Sequence, residues 1–178
     1  MFHDSHVGMR AIEERDLGFL AECRNDPSTW INLGTIDFVN KEKQLAWWKR
    51  SSLDKSQANF ILYGDGVSLG FVRTDEIDHI HRSIRVGGDI HPIYRGQGYG
   101  TKMYNLLFKY CFDYLNMNRV WLFVLDSNEA ARTLYKKIGM VEEGRQREAI
   151  FRNGVYHDYI MMSILASEYR MNYRGLHE

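Results

Sequence analysis

The stretch HPIYRGQGYGTKMY, residues 91–104, constrains the chain more than any other. A strand-like run, SIRVGGDIH (83–91), leads into it, and a helical pattern, GTKMYNLLFKYCFDYLNM (100–117), leads out. Pro92 cannot donate to a strand ladder, so the chain must leave the sheet there. Gly96, Gly98 and Gly100 carry no Cβ atoms, and their backbone N–H groups are free to turn inward. The following helix adds unpaired N-terminal amides and the positive end of its dipole. Strand, glycine turn and helix in that order read as an α/β unit built to hold phosphate.

Spacing narrows the choice of loop. A G-x-x-x-x-G-K-[ST] loop is excluded, because Thr101 precedes Lys102 after Gly100. A G-x-G-x-x-G fingerprint fails as well, because its third glycine falls on Thr101. What remains is R-x-x-G-x-G at Arg95, Gly98 and Gly100, which suits a pyrophosphate. The Thr101 hydroxyl and the Arg95 cation can supplement the amides. A glycine-rich turn without ligand stays open on these residues alone.

Periodicity orders the rest of the chain. VGMRAI (7–12) reads as a strand, and ERDLGFLAECRN (14–25) as a helix with Leu17, Leu20, Ala21 and Arg24 on one face, stopped by Pro27. A second helix covers 40–53 with Asn40 as N-cap. Residues 59–78 form a hairpin around Gly-Asp-Gly. The helix at 100–117 carries Met103, Leu107, Tyr110, Cys111 and Tyr114 inward. RVWLFVLD (119–126) is continuously apolar, as in a strand buried on both faces. SNEAARTLYKKIGM (127–140) is a helix between Ser127 as N-cap and Gly139 as C-cap. Residues 140–165 hold a closing strand pair around Asn153-Gly154. The sum is one continuous domain over 1–178, an α/β fold with a mixed central sheet flanked by helices.

The composition excludes several classes. The 178 residues carry 23 basic and 23 acidic side chains, so no global field recruits nucleic acid. No 18-residue apolar run suggests a membrane span, and residues 1–16 lack the apolar core of a signal peptide, which points to the cytoplasm. Cys23 and Cys111 match no metal spacing and read as small buried thiols.

The glycine loop resembles the acetyl-CoA-binding motif of the GNAT acyltransferase superfamily. DSNEAARTLYKKIGMVEEG (126–144) is similar to that superfamily's second signature, with an Asn at a helix start and a later Leu-Tyr-x-Lys-x-Gly. GRQREAIFRNGVYHDYIMMSILASEY (144–169) resembles the closing hairpin of the branch holding ribosomal-protein N-terminal, spermidine and amino-sugar acetyltransferases. The likeness is specific over roughly 84–169; the first half matches in layout and in RNDP (24–27).

The resemblance implies a V-shaped splay between the strands at 84–91 and 119–125. The pantetheine arm of acetyl-CoA would lie there on the backbone of Asp89, Ile90 and His91. The pyrophosphate would rest on the amides of Arg95, Gly96, Gln97, Gly98, Tyr99, Gly100 and Thr101. Asn128 would contact the pantetheine or assist its helix, and Tyr135 would protonate the departing thiolate. No metal is implied. The reaction would be direct attack of a primary amine on the thioester. Asp89, expected on one strand face with His91, and Glu76 are the first candidates for general base. The acceptor would be an amino sugar, nucleotide-linked or not, or a polyamine, with a protein N-terminus as alternative and a homodimer as the family-level expectation. A silent CoA-binding domain is the competing class. Gly87-Gly88 reads either as a bulge or as a kink opening the V. Trp30, Phe38, Trp47 and Trp48 read either as acceptor contacts or as sheet cover. The basic runs 81–85 and 145–152 are candidates to meet an acceptor's phosphate, or a solvated face.

Overall fold

A computed structural model describes residues 2–4 and 6–173. Among the described residues, eight strands form one sheet in the order β1-β2-β3-β4-β5-β6-β8-β7. They are β1 (Phe2–Asp4), β2 (Val7–Ala11), β3 (Ala58–Gly64), β4 (Val67–Asp78), β5 (Ser83–Ile90), β6 (Arg119–Leu125), β7 (Val141–Arg152) and β8 (Val155–Leu165). All neighbours run antiparallel except β5 and β6. The helices are α1 (Leu17–Asn25), α2 (Pro27–Trp30), α3 (Lys41–Ser51), α4 (Tyr99–Lys109), α5 (Glu129–Lys137) and α6 (Ala166–Tyr173).

Strand alternation divides the core into two layers. Ile61 and Leu62 are adjacent in β3, and both are wholly buried. Ile61 packs with Leu17 and Leu20 of α1. Leu62 packs in the larger cluster with Tyr104, Leu107 and Phe108 of α4. Each such fully buried side chain contributes roughly 1.5–3 kcal/mol of hydrophobic stabilisation. Helix α1 is seated by a fork from Arg10 to Asp16 at 2.6 and 2.7 Å. Both thiols are buried as expected, which raises Cys111 and pushes Cys23 up to about 12.

Several local expectations shift. Pro27 does not simply stop α1; it occupies the first turn of α2, where its missing N–H costs nothing, and Asp26 caps that turn. The helix entered at α4 changes to a π-turn over Tyr110–Tyr114. The extra residue per turn re-phases the chain, so Cys111 and Phe112 stay buried while Tyr114 turns out to solvent. β6 is buried on one face rather than two: Val120, Leu122 and Val124 are buried, whereas Trp121 and Phe123 are half-buried. Asn128, not Ser127, caps α5, accepting the Ala131 N–H at 3.2 Å.

Candidate active site

β5 and β6 pair over three positions only, Ser83↔Arg119, Ile84↔Val120 and Arg85↔Trp121. Beyond them β5 continues with β4 to Ile90, and β6 continues with β8 to Leu125. The strands diverge, and a V opens between them, as the family resemblance implies. The His91 N–H donates to the Leu69 carbonyl at 2.9 Å, which fixes the alternation of the ladder. Asp89 and His91 therefore turn their backbone groups toward β4. Gly88 and Ile90 turn theirs toward the V.

Gly87 and Gly88 are in register with Arg73 and Val72, so they form no bulge. A Cβ on Gly88 would lie 2.9 Å from the Met103 Cε, and one on Gly87 would lie 2.7 Å from the Arg73 Nε. The pair is small because those two side chains cross it.

At the mouth of the V the glycine loop enters α4. Gly96 and Gly98 have φ of 75° and 83°, in the left-handed region that β-carbons disfavour. A Cβ at either would meet nothing within 4 Å, so the space over the loop is open. The first intrahelical bond of α4 runs from the Lys102 N–H to the Gly98 carbonyl at 3.3 Å. The N–H groups of Tyr99, Gly100 and Thr101 thus have no acceptor within the helix and sit at its positive end. Gly100 serves packing: a Cβ there would lie 3.0 Å from the Leu134 Cδ2 of α5.

A cavity of about 930 Å³ runs from this loop past the V to α1 and α3. Tyr135 of α5 lines it with 9% of its surface exposed. The Tyr104 hydroxyl donates to the Tyr135 hydroxyl at 3.2 Å, and the rings meet edge to face. That bond leaves the Tyr135 proton free to point into the cavity. Burial raises both phenols above their usual range, so both remain protonated at neutral pH.

A family model described as "Acetyltransferase (GNAT) domain" matches residues 6–141. The chain belongs to the GNAT acetyltransferase family. It is 31% identical over 166 residues to the spermidine N(1)-acetyltransferase of Escherichia coli K12, covering 92% of this chain and 88% of that one. It is 32% identical over 170 residues to the spermidine N(1)-acetyltransferase of Vibrio cholerae, covering 93% and 96%. A crystal structure of the Vibrio cholerae enzyme with CoA and spermine superposes with a TM-score of 0.89 at 29% identity, over 93% of this chain and 99% of that chain. As a GNAT enzyme this chain is an N-acetyltransferase that takes its acetyl group from acetyl-CoA. The open left-handed loop and its free helix amides fit that donor.

Within this GNAT site, the residues named from sequence divide. Ile90, Gly96, Tyr99, Gly100, Asn128, Asp89 and Tyr135 line the cavity, and Gly98 lies in the loop between Gly96 and Tyr99 without lining it. Arg95 lines it too, but its groups are engaged. Its N–H bonds the Pro92 carbonyl at 3.2 Å. Its guanidinium reaches Ser28 at 2.7 Å, Thr29 at 2.5 Å and Asp89 at 3.1 and 3.2 Å, and its Nε donates to the Ile90 carbonyl at 2.9 Å. Arg95 thus ties the loop to α2 instead of offering a cation to phosphate. Burial raises the Asp89 carboxyl against the pull of Arg95.

His91 stays on the α1 side of the sheet with Asp89, as expected, but does not line the cavity; its Nε2 lies 3.5 Å from the Glu22 carboxylate of α1. Its ring stacks on Phe19 with 5.5 Å between centroids. Glu76 also points elsewhere. Its φ of 50° marks an irregularity where β4 slips against β5, and its carboxylate meets Arg85 at 3.1 Å. Asp75, one residue earlier on the opposite side, faces the cavity instead. Gln97 donates its side-chain amide to the Ile93 carbonyl at 3.1 Å.

Of the aromatics, Trp47 lines the cavity, Trp48 donates to the Ile12 carbonyl, and Trp30 stacks on Phe38. Arg85 of the basic runs lines the cavity, and three others make structural contacts. Arg82 grips Asn116, Arg145 pairs with Glu142 and Asp158, and Arg152 bonds the Leu33 carbonyl. Sequence reasoning missed Tyr104, Tyr159, Arg73 and Arg24 as cavity residues. Tyr104 follows Met103 in an aromatic-rich helix, and no spacing sets it apart from its neighbours.

Proposed function

We propose that this chain acetylates the primary amine of a small molecule. The observation that carries the reading is the single cavity joining the phosphate loop, Tyr135 and a vestibule under α1 and α3. A space walled on that many sides suits a compact acceptor better than a folded protein's N-terminus. The amine nitrogen attacks the thioester carbonyl, the C–S bond breaks, and Tyr135 gives its proton to the leaving thiolate. The nitrogen's own proton passes to cavity water. Gly88 offers backbone to the pantetheine arm, and the amides from Gly96 to Thr101 hold the pyrophosphate. Asn128 fixes the start of the helix that carries Tyr135. Asp89 acts through Arg95, as a positioning residue.

Likeness to spermidine N(1)-acetyltransferases supports a polyamine as a second reading of the acceptor. Thiol release from acetyl-CoA, measured across amino sugars, their phosphorylated and nucleotide forms, polyamines and N-terminal peptides, tests both. Release with peptides alone would remove the small-molecule reading. CoA binding without release from any amine would replace it with a silent CoA-binding domain.

A further inference from the structure

The acceptor end of the cavity has a charge pattern that a polyamine does not suit. Its walls bear Arg24, Lys43, Arg50, Arg73, Arg85 and Arg95. Against these six cations stand three carboxylates, Asp37, Asp75 and Asp89. Two of the three are already taken. Asp89 holds Arg95. Asp75 bonds the Nε of Arg85 and lies 3.7 Å from Arg73.

Arg73 has only a share of Asp75, and Arg24 has less. Arg24, in the last turn of α1, donates to the Thr35 hydroxyl and makes no ion pair among the described residues. Burial and the charge of Arg73 disfavour its cationic form and together outweigh the charge of Asp37, which favours it. Arg73 lies flat across Gly87, which has no side chain to block it. Arg73 lines the same cavity as Tyr104 and Tyr135. Arg24 and Arg73 line the same cavity, and an anion bound there would offset their like charge. The cross-strand neighbour of Arg73, Asn59, and its partner Gln57 add polar groups on the same wall.

We infer that Arg24 and Arg73 form an oxyanion subsite for the acceptor, and that the acceptor is a primary amine carrying a phosphate. This rests on the small-molecule reading above and deepens it. A guanidinium presents a planar fork of donors that matches phosphate oxygens. The ligand's anion would sit on the α1 side while its amine reaches toward Tyr135. A free polyamine would instead bring like charge to like charge.

Two measurements test the subsite. In the first, thiol release is compared for an amine and its phosphorylated counterpart, glucosamine against glucosamine phosphate and nucleotide-linked glucosamine, with spermidine alongside. The phosphorylated forms should show a KM about ten- to a hundredfold lower than the bare sugar, since a charge-assisted bond is worth roughly 1.5–3 kcal/mol. Arg24→Gln and Arg73→Gln should each erase most of that ratio, and Arg24→Lys should restore part of it. Equal KM for phosphorylated and bare amines, or spermidine as the best acceptor, would overturn the subsite and leave acetyl transfer standing. No release from any amine would overturn both.

The second measurement needs no acceptor. Inorganic pyrophosphate is added to protein already saturated with CoA, so that the glycine loop is filled. The melting temperature should rise, and the rise should vanish in the Arg24→Gln, Arg73→Gln double variant. An equal rise in wild type and double variant, or none in the wild type, would mean that these arginines hold no anion.

Discussion

The two ends of the cavity are built by different means. The donor end is made of backbone: free amides at the start of α4, two left-handed glycines, and strand groups facing the V. The acceptor end is made of side chains that α1, α3, β4 and β5 bring together. Backbone recognition needs residues that are absent from the way, so it leaves a contiguous trace of glycines. Side-chain recognition needs residues that are present, but they can come from anywhere in the chain. The difference explains why one end was readable in advance and the other was not.

The two tyrosines stand at the junction, and they give the largest expected effect. Tyr135→Phe should lower kcat by about 10²–10⁴, the usual worth of a positioned general acid, while CoA affinity stays close to wild type. A parallel loss of CoA affinity would move Tyr135 from chemistry to donor binding.

Asp16→Ala strikes the scaffold of the acceptor end. It should destabilise the protein by about 3 kcal/mol, because Arg10 is left without its partner beneath α1. Burial raises the Asp16 carboxyl, but the Arg10 fork and the Glu13 N–H outweigh it and hold it below the usual carboxylate range. A depressed carboxyl contributes fully above its unfolded pKa, and that contribution is lost as pH falls through the folded value. Urea unfolding of wild type and variant should therefore converge in acid. A gap that persists there would assign the effect to packing.

Gly98→Val strikes the donor end. A β-branched residue at φ of 83° costs roughly 1–3 kcal/mol and projects into the open space over the loop. CoA affinity should fall about tenfold to a hundredfold by calorimetry, with acceptor KM little changed. Unaltered CoA binding would break the assignment of this loop to the pyrophosphate.

The smallest change expected is at Tyr104. Tyr104→Phe removes one hydrogen bond to the Tyr135 hydroxyl, worth about 0.5–1.5 kcal/mol, so kcat should drop by up to about tenfold. Its effect should disappear in the Tyr135→Phe background if Tyr104 acts through Tyr135. Additive effects would give Tyr104 a separate role.

Much of the site followed from local rules. The strand exit at Pro92, the glycine loop, the opening of α4 and the helix bearing Tyr135 are consecutive or nearly so, and each is set by neighbours along the chain. Errors arose where a side chain had two options that local order does not distinguish. Arg95 could reach phosphate or Asp89, and its fork to α2 decided for Asp89. Glu76 and Asp75 differ by one position, and the slip of β4 against β5 set which one meets the cavity. His91 shares that side of the sheet with Asp89, but it packs on Phe19 of α1 and stays outside the cavity.

By itself, then, the sequence determined the order of elements, the layered α/β architecture and the donor loop, since strand period, helix period and left-handed glycines are properties of adjacent residues. Only the tertiary structure decided how far β5 and β6 stay paired, that Tyr104 backs Tyr135, and that Arg24 and Arg73 share a wall. Those outcomes depend on elements 31 to 49 residues apart in the chain. Packing and charge bring such elements together at distances that no local pattern encodes.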